Sequence, residues 1–225
     1  RACLSIQSLL SCWKMTSVYP VGKRRCHLRL QYGTTYRRLC QEVGCHRRER
    51  RTDLCGSAPQ LIDELYKSES DTNFNNRSIA WLLKNYNRIY DDPDMALDLY
   101  TRQCSLGVTA LQLSVAAGTI ANGGVNPVTK KEVFDASLAP KITAMIAAVG
   151  FYEHTGDWMY TSGIPAKTGV GGGVMGVLPG QFGIAAFAPP LDGAGNSVKA
   201  QLAIQYVMNK LGLNVFSDNH LIVVD

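Results

Sequence analysis

Two short apolar runs, residues 172–178 and 182–188, stand on either side of Pro179-Gly180-Gln181. A Pro-Gly turn between two runs of strand length is a β-hairpin signature, so this part of the chain is committed to an antiparallel sheet. Residues 167–170 precede it as the end of a strand or the loop leading into one. The stretch from Gly171 to Gly176 also matches G-x-G-x-x-G in form. A dinucleotide loop, however, needs a preceding strand and a helix that starts at its third glycine. Pro179-Gly180 follows Gly176 too closely for that helix, and no βαβ unit surrounds the run. A Walker-type loop would end in Gly-Lys-Ser/Thr, whereas Lys167 stands at the start. Nucleotide binding is set aside on these grounds.

Upstream, the pattern is helical. Asp71 is positioned to cap a helix whose apolar stripe is Ile79, Leu82, Leu83 and Tyr86. Asp92-Pro93 is a cap followed by proline at the first helical position, opening a helix through Leu99 and Tyr100. Thr109 opens another, with Leu113, Ala116, Ala117 and Ile120 inward and Gly123 at its end. Asp135 or Ser137 begins a fourth, carrying Leu138, Ile142, Met145 and Val149 and stopped at Gly150. After the hairpin, Asn196 or Ser197 caps a last helix with Ala200, Ile204, Val207 and Leu211 on one face and Gly212 past its end. Helices, then strands, then a terminal helix predict an α+β fold, an antiparallel sheet flanked by helices.

The first sixty residues are a different kind of text. They hold twelve Lys/Arg against three Asp/Glu and six of the seven Cys, and from residue 9 no helical or strand period is sustained. Cys26, Cys40, Cys45, His46 and Cys55 fit no closed zinc-ligand spacing. The basic run is Cys- and Leu-containing, unlike a lysine-rich or low-complexity nucleic-acid tail. A shifted reading frame over 9–60 accounts for such a composition. With Leu9 as CTT, Leu10 as CTA and Ser11 as AGT, a one-nucleotide shift reads Ser-Lys-Leu-Leu-Glu and places a lysine three positions after Ser8. The chain begins Arg1-Ala2-Cys3, which reads as a fragment and not as a secretory leader. No run of eighteen apolar residues predicts a membrane span. A cytoplasmic protein is the expectation.

Lys167-Thr168-Gly169 carries the chemistry. K-T-G on an inner strand is one of the signatures of serine β-lactamases and penicillin-binding proteins, whose nucleophile lies in S-x-x-K. The neighbouring glycines let a substrate approach the backbone, and the Val170 N–H is placed to meet a developing oxyanion. Five longer segments resemble one family, the serine-dependent glutaminases. They are "GIPAKTGVGGGVMGVLPG", "FAPPLDGAGNSVKA", "IANGGVNP", "LDLYTRQCS" and "YKSESDTNFNNRSIAWLLKNY". The "SIQS" at 5–8 is similar to that family's approach to its nucleophile.

The resemblance implies a β-lactamase/transpeptidase-like fold with its N-terminal part incomplete: a remnant over 1–60 and a glutaminase-like domain over 61–225. It implies hydrolysis of L-glutamine to L-glutamate and ammonia through a seryl γ-glutamyl intermediate, with no metal or cofactor, no nucleic-acid or membrane partner, and a homo-oligomer where the full fold is present. Ser8 matches the nucleophile and Tyr152 a proton-transfer tyrosine. Val170 and Ser8 supply the oxyanion N–H groups. Glu69, Asn76, Tyr100 and Val170 match substrate-binding positions, Glu69 toward the α-amino group. Lys167 matches a strand lysine of structural role. Three features depart from the family pattern, one being that the strand material expected before Ser8 is missing. Position 11 is Ser where the family has its base lysine, and an Asn-Ala-Gly substrate segment is missing. Impaired turnover is therefore expected. The alternatives are a non-catalytic glutamine-binding remnant and a penicillin-recognising serine hydrolase; the Glu69, Asn76 and Tyr100 set argues against the latter.

Overall fold

A computed structural model describes residues 55–56, 59–90 and 92–217. Its centre is a three-stranded antiparallel sheet in the order β3-β4-β5, with β3 Ala166–Gly169, β4 Gly173–Leu178 and β5 Phe182–Phe187. Leu178 pairs with Phe182 across the Pro179-Gly180 turn, as the hairpin signature predicts. β4 is buried along its whole length, which explains its unbroken apolar sequence. Its side chains divide by period two: Met175 and Val177 enter one core and Val174 and Leu178 the other.

The first core is closed by α4, Ala110–Ala121, and α5, Ala139–Val149, through Leu113, Ile120, Ile142 and Ile146. The second is closed by α6, Thr155–Ser162, and α7, Val198–Leu211, through Trp158, Ala200, Ile204 and Met208. The result is a sheet with helices on both faces. Phe151 and Trp158 stack in the second core with centroids 4.2 Å apart, and Trp158 Nε1 donates to Ile164 O at 2.8 Å. Beyond this unit lie α1 Asp63–Thr72, α2 Phe74–Asn85 and α3 Pro93–Cys104, with a small ladder of β1 Gln60–Leu61 on β2 Leu106–Gly107. Cys55 is buried in the first core.

Three helix starts follow the expected chemistry. The Asp92 carboxylate accepts from the N–H groups of Asp94 and Met95 ahead of Pro93. Thr109 and Gln112 form a capping box, and Ser197 accepts from the Ala200 N–H. Other expectations are corrected. Asp71 lies inside α1 and caps nothing; α2 starts after Asn73, whose side chain donates to Thr101 Oγ1 instead. Leu82 and Tyr86 are 53% and 60% exposed, because among the described residues α2 packs on α3 through the Ile79, Ala80 and Leu83 side. Leu211 is exposed and Met208 takes its place in the core. Gly150 ends α5 but in right-handed helical conformation, φ −72°, so its need for glycine is not the usual left-handed cap.

Candidate active site

Strand β3, at one end of the sheet among the described residues, holds Lys167, Thr168 and Gly169 with all three buried. Strand alternation sends Lys167 to the opposite face from Ala166 and Thr168. Its Nζ donates to Thr168 O at 2.5 Å and lies 4.6 Å from the centroid of the Tyr152 ring. An ammonium over an aromatic face is attracted by the ring quadrupole, which orients both partners. Tyr152 has φ +53°, uncommon for a side-chain-bearing residue, and its carbonyl accepts from Thr155 Oγ1 at 2.7 Å. Burial pushes the Tyr152 phenol above its ordinary range, and the Cys104 thiol and Glu153 push it the same way. The group is thus a protonated hydroxyl at neutral pH.

Val170 follows β3 directly and is 52% exposed. Among the described residues its N–H donates to no acceptor. A methyl placed on Gly195 would lie 3.3 Å from Val170 Cγ1 and 3.9 Å from Tyr152 Cε2. The structure therefore brings Tyr152, Lys167 and Val170 to one place, with Gly195 of the loop before α7 against two of them.

The remaining candidates lie on the helices. Glu69 is on α1, Asn76 on α2 and Tyr100 on α3, each half-buried. Asn76 and Tyr100 line one apolar cavity with Ile79, Leu83 and Leu97. Tyr100 and Cys104 are one turn apart on α3, and Cys104 acts on the Tyr152 phenol, so this face of α3 leads from the helical candidates toward the sheet candidates. Ser8, position 11 and the stretch 9–54 lie outside the described residues.

Sequence reasoning missed the device that seats α1, which has no buried residue. The Tyr66 hydroxyl donates to Asp98 Oδ1, Arg102 Nε pairs with Asp98 Oδ2 at 2.8 Å, and the Arg102 guanidinium stands 4.5 Å over the Tyr66 ring. Hydrogen bonds from Arg102 and then Tyr66 hold the Asp98 carboxyl below its ordinary range. The i,i+4 spacing of Asp98 and Arg102 was a legible signal; the arrival of Tyr66 was not. Tyr66 and Glu69 are three residues apart on one face of α1, so the cluster fixes the turn that presents Glu69. The Asp192 carboxylate was missed as well. It accepts from the N–H groups of Ala194 and Asn196 and from the Gln201 amide.

An α+β protein of β-lactamase-like architecture is the class that this sheet, its helices and its K-T-G strand define. Comparison with known proteins narrows it. The glutaminase family model matches residues 45–216. That match starts upstream of the boundary expected at 60. A glutaminase of Parabacteroides distasonis is 85% identical over 174 residues, covering 77% of this chain and 54% of the relative. One from Bacteroides fragilis is 84% identical with the same coverage. The probable glutaminase YbaS superposes with TM-score 0.72 at 48% identity, over 74% of this chain and 54% of that one. The Bacillus subtilis glutaminase YbgJ, solved as a covalent complex with 5-oxo-L-norleucine formed from 6-diazo-5-oxo-L-norleucine, gives TM-score 0.71 at 26% identity, over 75% and 60%. This chain belongs to the glutaminase family. It spans about half the length of the curated relatives it matches.

Proposed function

We propose that the protein is an L-glutamine amidohydrolase whose turnover is impaired in the chain as written. The observation that carries the reading is the convergence of Tyr152, Lys167 and Val170 at the K-T-G strand, in a chain 85% identical to a glutaminase over 174 residues. In this mechanism Ser8 Oγ attacks the side-chain carboxamide carbon of glutamine. The tetrahedral oxyanion is met by the Val170 and Ser8 N–H groups, a contribution worth about 3–4 kcal/mol per donor in such sites. The proton released by Ser8 Oγ goes to the base and from it to Tyr152, as Tyr152, protonated at neutral pH, gives its own proton to the departing nitrogen; ammonia leaves and the phenol is restored. Water then attacks the γ-glutamyl ester, releasing glutamate and restoring the serine. Glu69 meets the α-amino group; Asn76 and Tyr100 hold the rest of the amino-acid end. Serine needs a neighbouring base, and Ser11 stands where the base lysine is required. A cytoplasmic location and a homo-oligomeric state belong to the same reading.

The test is ammonia release from L-glutamine by the chain as written and by a chain carrying the alternative frame over codons 9–60. The restored chain turns glutamine over and loses turnover on Ser8→Ala, while the chain as written does not turn over. Equal turnover in both refutes the impairment. Turnover that survives Ser8→Ala refutes the nucleophile.

A further inference from the structure

We infer that the loop 192–196 is a positioning device for Val170 and Tyr152, tied into shape by the Asp192 carboxylate and fitted against both residues by Gly195. The inference rests on the proposed function for the roles of those two residues, but the geometry of the loop stands apart from it.

The loop is knotted on itself. The Asp192 N–H donates to Asn196 O at 2.8 Å and the Gly195 N–H to Asp192 O at 3.0 Å. Asp192 Oδ1 accepts from the Ala194 and Asn196 N–H groups at 3.0 and 2.9 Å, which is the Asx type of turn. Asp192 Oδ2 accepts from Gln201 Nε2 on α7 at 3.2 Å. Leu191 bridges Ser197, and Ser197 Oγ donates to Ala188 O at 2.7 Å, anchoring the loop beside the end of β5. Bonds to a carboxylate are stronger than neutral ones, so one side chain organises most of the turn.

The knot presents Gly195 at φ +92°, a conformation that side chains rarely adopt. Val170 and Tyr152 need such a neighbour. Val170 has left the strand ladder and is half-exposed, and Tyr152 stands at positive φ as the first residue of a one-turn 3-10 helix, Tyr152–His154. Val170 lies outside regular structure and Tyr152 at the end of a single short turn of helix, at the point where an oxyanion donor and a proton donor must be placed to within fractions of an ångström. The Gly195 backbone comes so near both that a Cβ on it would lie 3.3 Å from Val170 Cγ1 and 3.9 Å from Tyr152 Cε2, so the loop bounds the space the two side chains share.

Hydrogen–deuterium exchange of the full chain, read by mass spectrometry, tests this without requiring turnover. Asp192→Ala is expected to raise exchange about tenfold in peptides covering 150–154 and 169–172, leaving 203–211 of α7 unchanged. Asp192→Asn, which keeps an acceptor at Oδ1, is expected to match the parent. Gly195→Ala leaves the Asp192 bonds available and adds a methyl against Val170. It is expected to affect the same two peptides and decides the matter should Asp192→Ala fail to fold. Exchange that changes only within 190–197, for both variants, overturns the inference. In the frame-restored chain, kcat is expected to fall about tenfold with KM little changed for Asp192→Ala, since the positioned groups act in the transition state. A restored chain that never releases ammonia removes the proposed function while the exchange result still decides the positioning role. A restored chain with turnover and an unchanged kcat overturns the positioning role alone.

Discussion

Gly150→Ala isolates the contact that holds the K-T-G strand in place. On backbone grounds alone the change is favourable: φ is −72° and right-handed helical, where alanine gains about 0.4–1 kcal/mol over glycine. The surroundings reverse the sign. A Cβ at 150 would sit 1.8 Å from Ala166 O and 2.5 Å from Ile146 O, both backbone atoms that cannot swing aside. Reaching ordinary contact near 3.4 Å requires the end of α5 and strand β3 to separate by about 1.6 Å. That movement also breaks the 3.0 Å hydrogen bond from the Thr168 N–H to Gly150 O. Overpacking costs about 1–3 kcal/mol and the lost bond about 1 kcal/mol, leaving a net loss of about 1–3.5 kcal/mol after the backbone gain. For a protein of this size the midpoint of thermal unfolding falls by about 2–14 °C. Circular dichroism melting measures it, and exchange at 166–169 shows whether the strand itself has loosened. An alanine variant that melts at or above the parent temperature refutes the reasoning, because the helical gain would then exceed the clash.

Four further outcomes are expected. Gly183→Ala places a methyl 2.0 Å from Gly118 N and 2.4 Å from Ala117 C, where β5 meets the backbone of α4, and should cost at least about 3 kcal/mol in urea unfolding. Gly180→Ala, with open space but φ +71°, should cost only about 1–2 kcal/mol. The Asp98 and Asp192 carboxyls are both held low in the folded state: Asp98 by Arg102 and Tyr66, and Asp192 by its N–H and amide donors, which outweigh the upward push of burial. Their contribution is present above the unfolded carboxyl value of about 3.9 and is lost as pH falls through the folded values. Urea midpoints should be flat from about pH 7 to 5 and drop below about pH 4, less steeply in Asp98→Asn; an equal drop removes Asp98 from the account. Tyr66→Phe keeps the ring under Arg102 but removes the hydroxyl's bonds to Asp98 and from Arg102, and, on the proposed role of Glu69, should weaken glutamine binding several-fold, read by calorimetry, with a melting change of only a few degrees.

What the sequence determined by itself was local. Asp92-Pro93, Thr109 with Gln112, and Ser197 start helices because each side chain satisfies N–H groups two or three residues away. Pro179-Gly180 makes a hairpin because turn geometry resides in those residues. The K-T-G strand and its flanking segments were legible as text, and with them the family. Tertiary structure decided everything that depends on distant neighbours. The stripe Ile79, Leu82, Leu83 and Tyr86 fixes a period but not which side of the helix meets a partner; α3 covers the Ile79–Leu83 side and leaves Leu82 and Tyr86 in solvent. Gly150, Gly183 and Gly195 look alike in the sequence, yet one is required by Ala166, one by Gly118 and one by its own φ together with Val170. Tyr152 becomes more than a half-buried aromatic only where Lys167 stands against its ring and where burial, with Cys104 beside it, keeps its proton. Close approach and desolvation are properties of pairs brought together by folding, and no single stretch of residues contains them.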